Sequence, residues 1–586
     1  MRNGIPVSPG VAVGTAYCID EIFVNPDTKR LEPGEVQAEL ARYERARVKT
    51  AADLRALTQK VARQVGPHEA AIFASHLAIL EDPAFDEKTR AWIAEHHETA
   101  QAALHHLLNE YASLFARTKD EYLKLRLNDL RDVVLRISGH LSEVLQPDGK
   151  AIAGPLIVVA DELLPSHVVA LGDRPVMGIV TQAGGQTSHA AILARSRGIP
   201  AVSGLRGILK QVKTGDRIVV DGRDGHVVVN PDAEIESAYR KLQREFFLLK
   251  DQLAANRDLP AKSADGETVQ LLANINNVAD VKAAAAMGAT GIGLYRTEYL
   301  FLTHPSVPDE EEQFQAYREV IAASPGNTVT IRTLDIGGDK TVPYLGHARE
   351  ANPFMGWRSI RLSFEHPELF ATQIRAILRA AAEQEASGRT VRMLFPMVTT
   401  FEEMRRLRTM VDRARRQLES RRVRVGSVPV GLMLEVPAAA VSIRSLLPTV
   451  DFVSIGSNDL VQYLMAADRD NPKVSHLCQP LAPPVIRVLT DVIAACNAAN
   501  KPVTLCGEMA GSPRGFLLLF GMGLRSFSMS PAFIPSMKEL LCHLTVAKAE
   551  SIHRRVLSHK AISQVTRYLT EQIKKIAPNL AMLDTA

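Results

Sequence analysis

One histidine of this chain stands in a setting suited to chemistry. Gly184-Gly185-Gln186-Thr187-Ser188-His189 follows an apolar run, Val176 to Val180, and precedes Ala190-Ala191-Ile192-Leu193-Ala194-Arg195. The order reads as strand, glycine turn, helix. Two glycines let backbone come close to a bound group, and Thr187 or Ser188 can cap the helix. His189 then falls in the first helical turn, where free N–H groups and the helix dipole favour negative charge. A phosphoryl group carried on the imidazole suits that position. A histidine after a glycine turn is more often a surface or capping residue, so the reading needs support from elsewhere in the chain.

Support comes from a second set of residues. Arg296 (in Gly-Leu-Tyr-Arg-Thr-Glu) and Arg332 (in Thr-Ile-Arg-Thr-Leu-Asp) end neighbouring strand-like runs, and Arg358 and Arg469 follow the third and sixth runs of the same series. Guanidinium forks grip phosphate or carboxylate through paired bonds. One such arginine reads as an ordinary ion-pairing residue, whereas four on one rim point to a small substrate with more than one anionic group. Glu435 and Asp459 end runs five and six. Two carboxylates completed by waters and substrate oxygens form an ordinary Mg²⁺ arrangement, although the same groups can also pair with the arginines. Cys506 ends another run and is followed by Gly507 and Glu508. Most single cysteines are buried and structural; at a strand end beside a carboxylate, an acid–base role is open.

These residues need elements to hold them. From residue 261 onward, strand-like runs recur at 269–275, 291–297, 329–335, 391–398, 430–436, 452–459, 503–508 and 526–530, with helical patterns between most of them. Eight strands alternating with helices is the arithmetic of a (β/α)₈ barrel, whose chemistry sits at the C-terminal strand ends. Those ends read Asn274, Arg296, Arg332 with Asp335, Pro396, Glu435, Asn458 with Asp459, Cys506 with Glu508, and Ser530, a ring too polar for a purely structural barrel.

Upstream, residues 4–24 read as a short β segment with Pro6, Pro9 and Gly10 as turn markers. From about 33 to 146 the texture turns helical, with Leu40, Tyr43, Leu54, Leu57 and Val61 at helical spacings and a break at Glu81-Asp82-Pro83. Between Ala151 and Asn230 strands return at 156–160, 176–180, 217–220 and 226–229, with a helix at about 189–197. The fold class expected is α/β. A small phosphohistidine domain (1–24 with 148–230) carries an inserted helical domain (25–147), and a linker helix (231–260) leads to the barrel (261–586). In the linker, Tyr239, Leu242, Phe246, Leu249 and Leu253 form one apolar stripe.

Composition narrows the class. At 586 residues, 46% hydrophobic and 23% charged, the chain suits a soluble protein of about three or four domains. Net charge is +4, and no basic run is interleaved with aromatics, so specific nucleic-acid binding is not expected. The five cysteines are scattered without a CxxC pair, which argues against a zinc site or disulfide framework. The start lacks a signal-peptide core and no run of about 18 apolar residues occurs. No membrane insertion and a cytoplasmic location are expected.

With these stretches assembled, the chain resembles the phosphoenolpyruvate-protein phosphotransferase family, Enzyme I of the bacterial sugar phosphotransferase system. The resemblance runs from Gly4-Ile5-Pro6-Val7-Ser8-Pro9-Gly10 to about residue 545 through GGQTSHAAILAR, GIGLYRTEYLF, RTLDIGGDK, NPFMGWRSIR, LEVPAAA, SIGSNDLVQY and LCGEMAG. It implies that His189 is the phosphorylated histidine. Arg296, Arg332, Arg469 and Asn458 would hold phosphoenolpyruvate, with Arg358 on the same face. Glu435 and Asp459 would bind Mg²⁺, and Cys506 would protonate the pyruvate enolate. It also implies a homodimer through the barrel, and a small histidine-containing phosphocarrier that docks on the helical domain. The chain departs from the family at Gln182, Gln186 and Val168, positions that bear on the surroundings of His189. Its docking stretch, Gly66-Pro67-His68-Glu69-Ala70-Ala71-Ile72-Phe73, is less acidic than in familiar relatives. Two other readings are a nitrogen-branch or regulatory phosphotransferase and a relative of phosphoenolpyruvate synthase or pyruvate-phosphate dikinase. The latter pair need a nucleotide-binding domain, for which no glycine-rich loop is found.

Overall fold

Short β-branched and aliphatic runs separated by amphipathic helices leave the second half of the chain little choice but a wound parallel sheet. A computed structural model of the chain describes residues 2–8, 10–18, 30–64, 71–116, 121–141, 155–161, 176–182, 194, 199–302, 304, 306–337, 350, 352–384, 387–469, 471 and 473–582. Sixteen strands occur among them. The first eight are β1 (Arg2–Asn3), β2 (Ile5–Ser8), β3 (Val11–Cys18), β4 (Leu156–Ala160), β5 (Val176–Thr181), β6 (Ala201–Ser203), β7 (Arg217–Asp221) and β8 (His226–Val229). The rest are β9 (Gln270–Ile275), β10 (Ile292–Arg296), β11 (Thr328–Arg332), β12 (Thr390–Phe395), β13 (Val430–Leu434), β14 (Phe452–Ile455), β15 (Val503–Leu505) and β16 (Ser526–Met529).

β9 to β16 run parallel, and β16 pairs back onto β9 to close the barrel. Ala273, Ile275, Val329 and Ile331 are among the buried strand residues that pack outward, joining Phe314, Tyr317, Phe370 and Ile374 of the surrounding helices in one core. Leu294, Leu394, Met433, Phe452 and Cys506 form a smaller cluster of their own. Gly293 of β10 belongs in a crowded spot: a Cβ there would lie 2.3 Å from Ser528 Oγ, so only glycine fits. Two barrel helices begin with reciprocal caps, Asp309 with Glu312 and Thr400 with Glu403, which satisfy first-turn N–H groups.

The other sheet has the order β1-β8-β7-β3-β4-β5-β6-β2, parallel from β3 through β6 and antiparallel elsewhere. Between β3 and β4 the chain forms the helices Val36–Gln64, Ala71–Leu80, Pro83–His96, Ala100–Ala116 and Glu121–Leu141. They share a core of Tyr43, Leu54, Leu80, Ile93, Leu104, Val133 and Ile137. The break read at Glu81-Asp82-Pro83 is a helix start, with the Asp82 side chain accepting from Ala84 N at 2.8 Å and Pro83 in the first turn. Pro6 corrects the turn reading: it lies inside β2, paired with Val202. β2 is the edge strand of its sheet, where a missing donor costs no ladder bond.

Helix Ala233–Ala255 follows β8 and ends in a short 3₁₀ turn, Asn256–Asp258. Tyr239 packs against Val13, Val219 and Val228 of the sheet, and Glu236 meets Arg217 at 2.7 Å. At the far end, Asn256 donates to Glu539 at 2.6 Å and Lys538 donates to the Arg257 carbonyl. Among the described residues no helix is long and apolar enough to cross a membrane.

Candidate functional site

The C-terminal rim of the barrel gathers most of the polar residues singled out from the sequence. Arg296 and Arg332 end β10 and β11 and are partners across that ladder. Arg332 is buried and pairs with the fully buried Glu298 and with Asp335 at 3.1 Å. Burial alone weakens a guanidinium's charge; Glu298 and Asp335 outweigh it and hold Arg332 firmly cationic. Arg296 is half-buried and takes part in no ion pair among the described residues. Its fork is therefore the uncommitted one.

Arg358 is also buried. Its Nη2 donates to Asp335 at 3.1 Å and to Asp459 at 3.3 Å, and its Nη1 donates to the Tyr463 hydroxyl at 3.2 Å. Burial opposes its charge, and Asp335 and Asp459 raise its proton affinity beyond that. Arg469 completes the series, pairing with Asp459 at 2.8 Å and lying 5.6 Å from the Phe354 ring centroid. Thus Arg332, Arg358 and Arg469 are strung on two aspartates, Asp335 and Asp459. The cost of burying these charges is offset only because each has partners.

Glu435 behaves differently. It is 1% exposed, and its Oε1 accepts from Met397 N at 2.7 Å. Burial, then the neighbouring Asp459 and Asp335, push its carboxyl up to about 8. Gly456 leaves the space it needs, since a Cβ there would sit 2.7 Å from Glu435 Oε2. A buried carboxylate crowded by two others, with one oxygen fixed, is a hard-oxygen donor set suited to a divalent cation. Among the described residues no group of three or more His, Cys, Asp or Glu is arranged to hold a metal. Two carboxylates would therefore need water or substrate oxygens to complete the shell. Asp459 is the group that serves both alternatives weighed from the sequence, being paired with two arginines while standing beside Glu435.

Most barrel strands end earlier than read, β11 at Arg332, β12 at Phe395 and β13 at Leu434 among them. β14 ends at Ile455, and Asn458 and Asp459 lie in the first turn of helix Ser457–Leu464; β15 ends at Leu505. Asn458 Oδ1 accepts from Glu508 N at 3.1 Å, tying the two loops. Cys506 is buried; its Sγ accepts from Ser454 Oγ at 3.3 Å and donates to the Ile455 carbonyl at 3.4 Å. Burial pushes its thiol up, opposed in part by the Ser454 hydroxyl, so the sulfur keeps its proton at neutral pH. A protonated thiol beside a cationic rim is an acid, not a nucleophile.

Several residues of the rim escaped the sequence reading. Ser359 adopts a positive φ of 54° while its hydroxyl bonds Asp335 and its N–H donates to Ile336 O at 2.9 Å. Met397 has φ 59° and aims its N–H at Glu435. Such backbone costs roughly 1–3 kcal/mol for a residue with a Cβ, and neither residue type announces it. Tyr463 donates to the Phe354 carbonyl as well as accepting from Arg358, and burial pushes its hydroxyl up to about 12. Gln373, fully buried, donates to Thr297 and Tyr317 and accepts from Leu334 N. Glu298 and Ser359 each stand within two residues of a singled-out arginine, the one cue the sequence offered.

His189, Gln186, Val168 and the helix read at about 189–197 lie outside the described residues apart from Ala194, as does most of the stretch from Gly66 to Phe73. Gln182 is described: it donates to Asp161 at 2.9 Å and accepts from Leu209 N at 3.4 Å.

Three family matches cover the chain in order: the PEP-utilising enzyme N-terminal domain at residues 3–126, the mobile domain at 152–225 and the PEP-binding domain at 250–546. The phosphoenolpyruvate-protein phosphotransferase of Haemophilus influenzae is 37% identical over 572 residues, 97% of this chain and 99% of the relative. That of Bacillus sp. (strain S) is 39% identical over 570 residues, 97% of each chain. That of Bacillus subtilis (strain 168) is 37% identical over 573 residues, 98% of this chain and 99% of the relative. With its order of domains and its length both matched, the chain belongs to the phosphoenolpyruvate-protein phosphotransferase family.

Proposed function

We propose that the protein takes the phosphoryl group of phosphoenolpyruvate onto its own His189 and passes it to a small histidine-containing phosphocarrier, releasing pyruvate. This is the first step of the sugar phosphotransferase system. The observation that carries the reading is the rim itself, where Arg332, Arg358 and Arg469 share two aspartates beside the buried Glu435. Phosphoenolpyruvate carries a phosphate and a carboxylate, and a site with three buried or half-buried guanidiniums and the uncommitted Arg296 can neutralise both.

In this account Arg296, Arg332, Arg358 and Arg469 hold the substrate, with Asn458 and Asp459 beside them. Glu435 and Asp459 hold Mg²⁺, which when bound supplies charge neutralisation at the phosphate. His189 attacks phosphorus through a neutral imidazole nitrogen, so an N–P bond forms as the bridging P–O bond breaks. The catalytic load is positioning and electrostatic stabilisation. The electron pair of the broken bond passes to the enolate of pyruvate, whose C3 takes the proton of Cys506; the thiolate regains a proton from water. We assign residues 1–24 with 148–230 to a phosphohistidine domain and 25–147 to the carrier-binding domain. Residues 231–260 form the linker, and 261–586 a barrel domain that binds substrate and forms a homodimer. A cytoplasmic location fits this role.

The test is to offer the protein phosphoenolpyruvate labelled in the phosphate, or ATP labelled in the γ-phosphate, with Mg²⁺ and a phosphocarrier. Label should pass from phosphoenolpyruvate to the carrier with pyruvate formed in equal amount. Labelling from ATP alone would overturn the reading in favour of a nucleotide-dependent relative.

A further inference from the structure

Positive charge is distributed very unevenly in this chain. Residues 405–424 hold nine arginines against Asp412 and Glu419, a net +7, whereas the whole chain carries +4. Most of the segment is the barrel helix Phe401–Ser420. Its buried side is Met404, Leu407, Val411, Ala414 and Leu418. At about 100° per residue, Arg405, Arg406, Arg413 and Arg416 fall within roughly a quarter-turn on the opposite crest, and all four are exposed. Arg421, Arg422 and Arg424 continue the exposed charge into the following turn.

Three of the nine arginines have fixed structural work: Arg406 donates to the Phe364 carbonyl at 3.2 Å with its guanidinium 4.0 Å from that ring's centroid, Arg408 pairs with Asp451 at 3.0 Å, and Arg415 donates to Gly426 O at 3.3 Å. The other six, like Arg406, make no ion pair among the described residues, although Glu402, Asp412 and Glu419 stand three or four positions away. Cations at the C-terminal turn complement the helix dipole, but Arg405 and Arg406 near the N-terminus oppose it. Helix stability therefore does not account for the ridge.

The shape of the surface selects the partner. The helix lies between neighbours, with Gln417 bonded to Arg375 at 3.0 Å on one side and Arg408 bonded to the Thr449 carbonyl at 2.8 Å on the other. A helix set flush in this way cannot enter a duplex groove, which requires a protruding element. Single strands call for a row of aromatic platforms, and the helix offers one exposed aromatic, Phe401, 39% exposed at its start. A flat anionic plane needs neither. Guanidinium forks match phosphodiester groups, and Phe401 and Val423, the latter 36% exposed at the far end, can enter the headgroup boundary.

We propose that this flank of the barrel docks peripherally on a bilayer surface bearing anionic phospholipids. The helix starts just past the rim residue Met397 and runs down the side of the barrel, so docking leaves the rim open. The contact is chiefly electrostatic and salt-sensitive, and goes no deeper than the headgroup boundary.

The experiment is co-sedimentation of the full-length protein with phosphatidylcholine vesicles containing no, or about 30%, phosphatidylglycerol, at about 50 and about 300 mM NaCl. Partitioning should rise at least about tenfold with the anionic lipid and fall by a similar factor at the higher salt. The variant Arg405→Gln/Arg413→Gln/Arg416→Gln/Arg421→Gln should lose at least about tenfold in partitioning while pyruvate release stays unchanged. Arg413→Gln/Arg416→Gln serves as a milder version should the fourfold variant unfold. A control with equal charge loss, Arg554→Gln/Arg555→Gln/Lys574→Gln/Lys575→Gln, should bind like the parent. Equal binding to neutral and anionic vesicles, or parent-like binding by both ridge variants, overturns the proposal. Release of the bound protein by tRNA or duplex DNA at equal phosphate concentration also overturns it, in favour of a nucleic-acid partner.

Discussion

Tyr463→Phe removes one oxygen from the rim and leaves its volume filled. That oxygen accepts from Arg358 at 3.2 Å and donates to the Phe354 carbonyl, so it joins the loop carrying Arg358 to the helix carrying Asp459. A hydrogen bond to a charged group is worth about 1.5–3 kcal/mol net. The Arg358 bond is at the long end, and Arg358 keeps Asp335 at 3.1 Å and Asp459 at 3.3 Å, so the lower part of the range applies. About 1–2 kcal/mol in substrate affinity corresponds to roughly 5–30-fold in kcat/KM. Arg358 would meet an anionic group present both in bound substrate and in the transition state, so the loss should appear in KM with kcat retained. Pyruvate release coupled to lactate dehydrogenase measures both constants. A kcat/KM within twofold of the parent, or a fall in kcat at constant KM, would refute the reasoning that Tyr463 positions Arg358.

Cys506→Ala should slow pyruvate formation by about 10²-fold or more, with the KM for phosphoenolpyruvate within a few-fold of the parent; undiminished pyruvate formation removes the thiol from the mechanism. Gly293→Ala places a methyl 2.3 Å from Ser528 Oγ and should cost about 1–3 kcal/mol, seen in calorimetry as a lower melting temperature for the barrel transition. His553 is held below its ordinary pKa by burial, then by Arg554. Its neutral form therefore contributes stability above the unfolded pKa, and that stability is lost as pH falls through the folded value. His553→Gln, which keeps a partner for Thr490, should shrink the drop in melting temperature between about pH 7.5 and 5.5; an unchanged drop means the acid sensitivity lies elsewhere.

The barrel was legible because a parallel strand buried on both faces must be a short aliphatic run. Val329–Ile331 and Val430–Leu434 are plain examples. Strand ends were less legible. In Phe452–Asp459 the apolar run gives no notice that Gly456 stops the ladder and Ser457 opens a helix. Pro6 misled for a related reason: its meaning depends on whether a strand lies at a sheet edge, a fact of topology and not of local sequence. The arginines and acids of the rim were visible as residue types at strand ends, but the chain of contacts Arg332–Asp335–Arg358–Asp459–Arg469 was not. Nor were the donors supplied by Ser359 and Met397, since a positive φ at serine or methionine is imposed by the surrounding fold. Arg358 itself is the case where spacing pointed to the right face without revealing that both its aspartate partners come from other segments.

The proposed phosphoryl transfer requires an imidazole that accepts the group, and mapping that group is the direct measurement. The protein incubated briefly with phosphoenolpyruvate labelled in the phosphate, with and without Mg²⁺, should carry acid-labile label on a peptide containing His189. His189→Ala should carry none while remaining folded. Label retained by His189→Ala, or acid-stable label on a serine, threonine or aspartate peptide, would contradict the central claim.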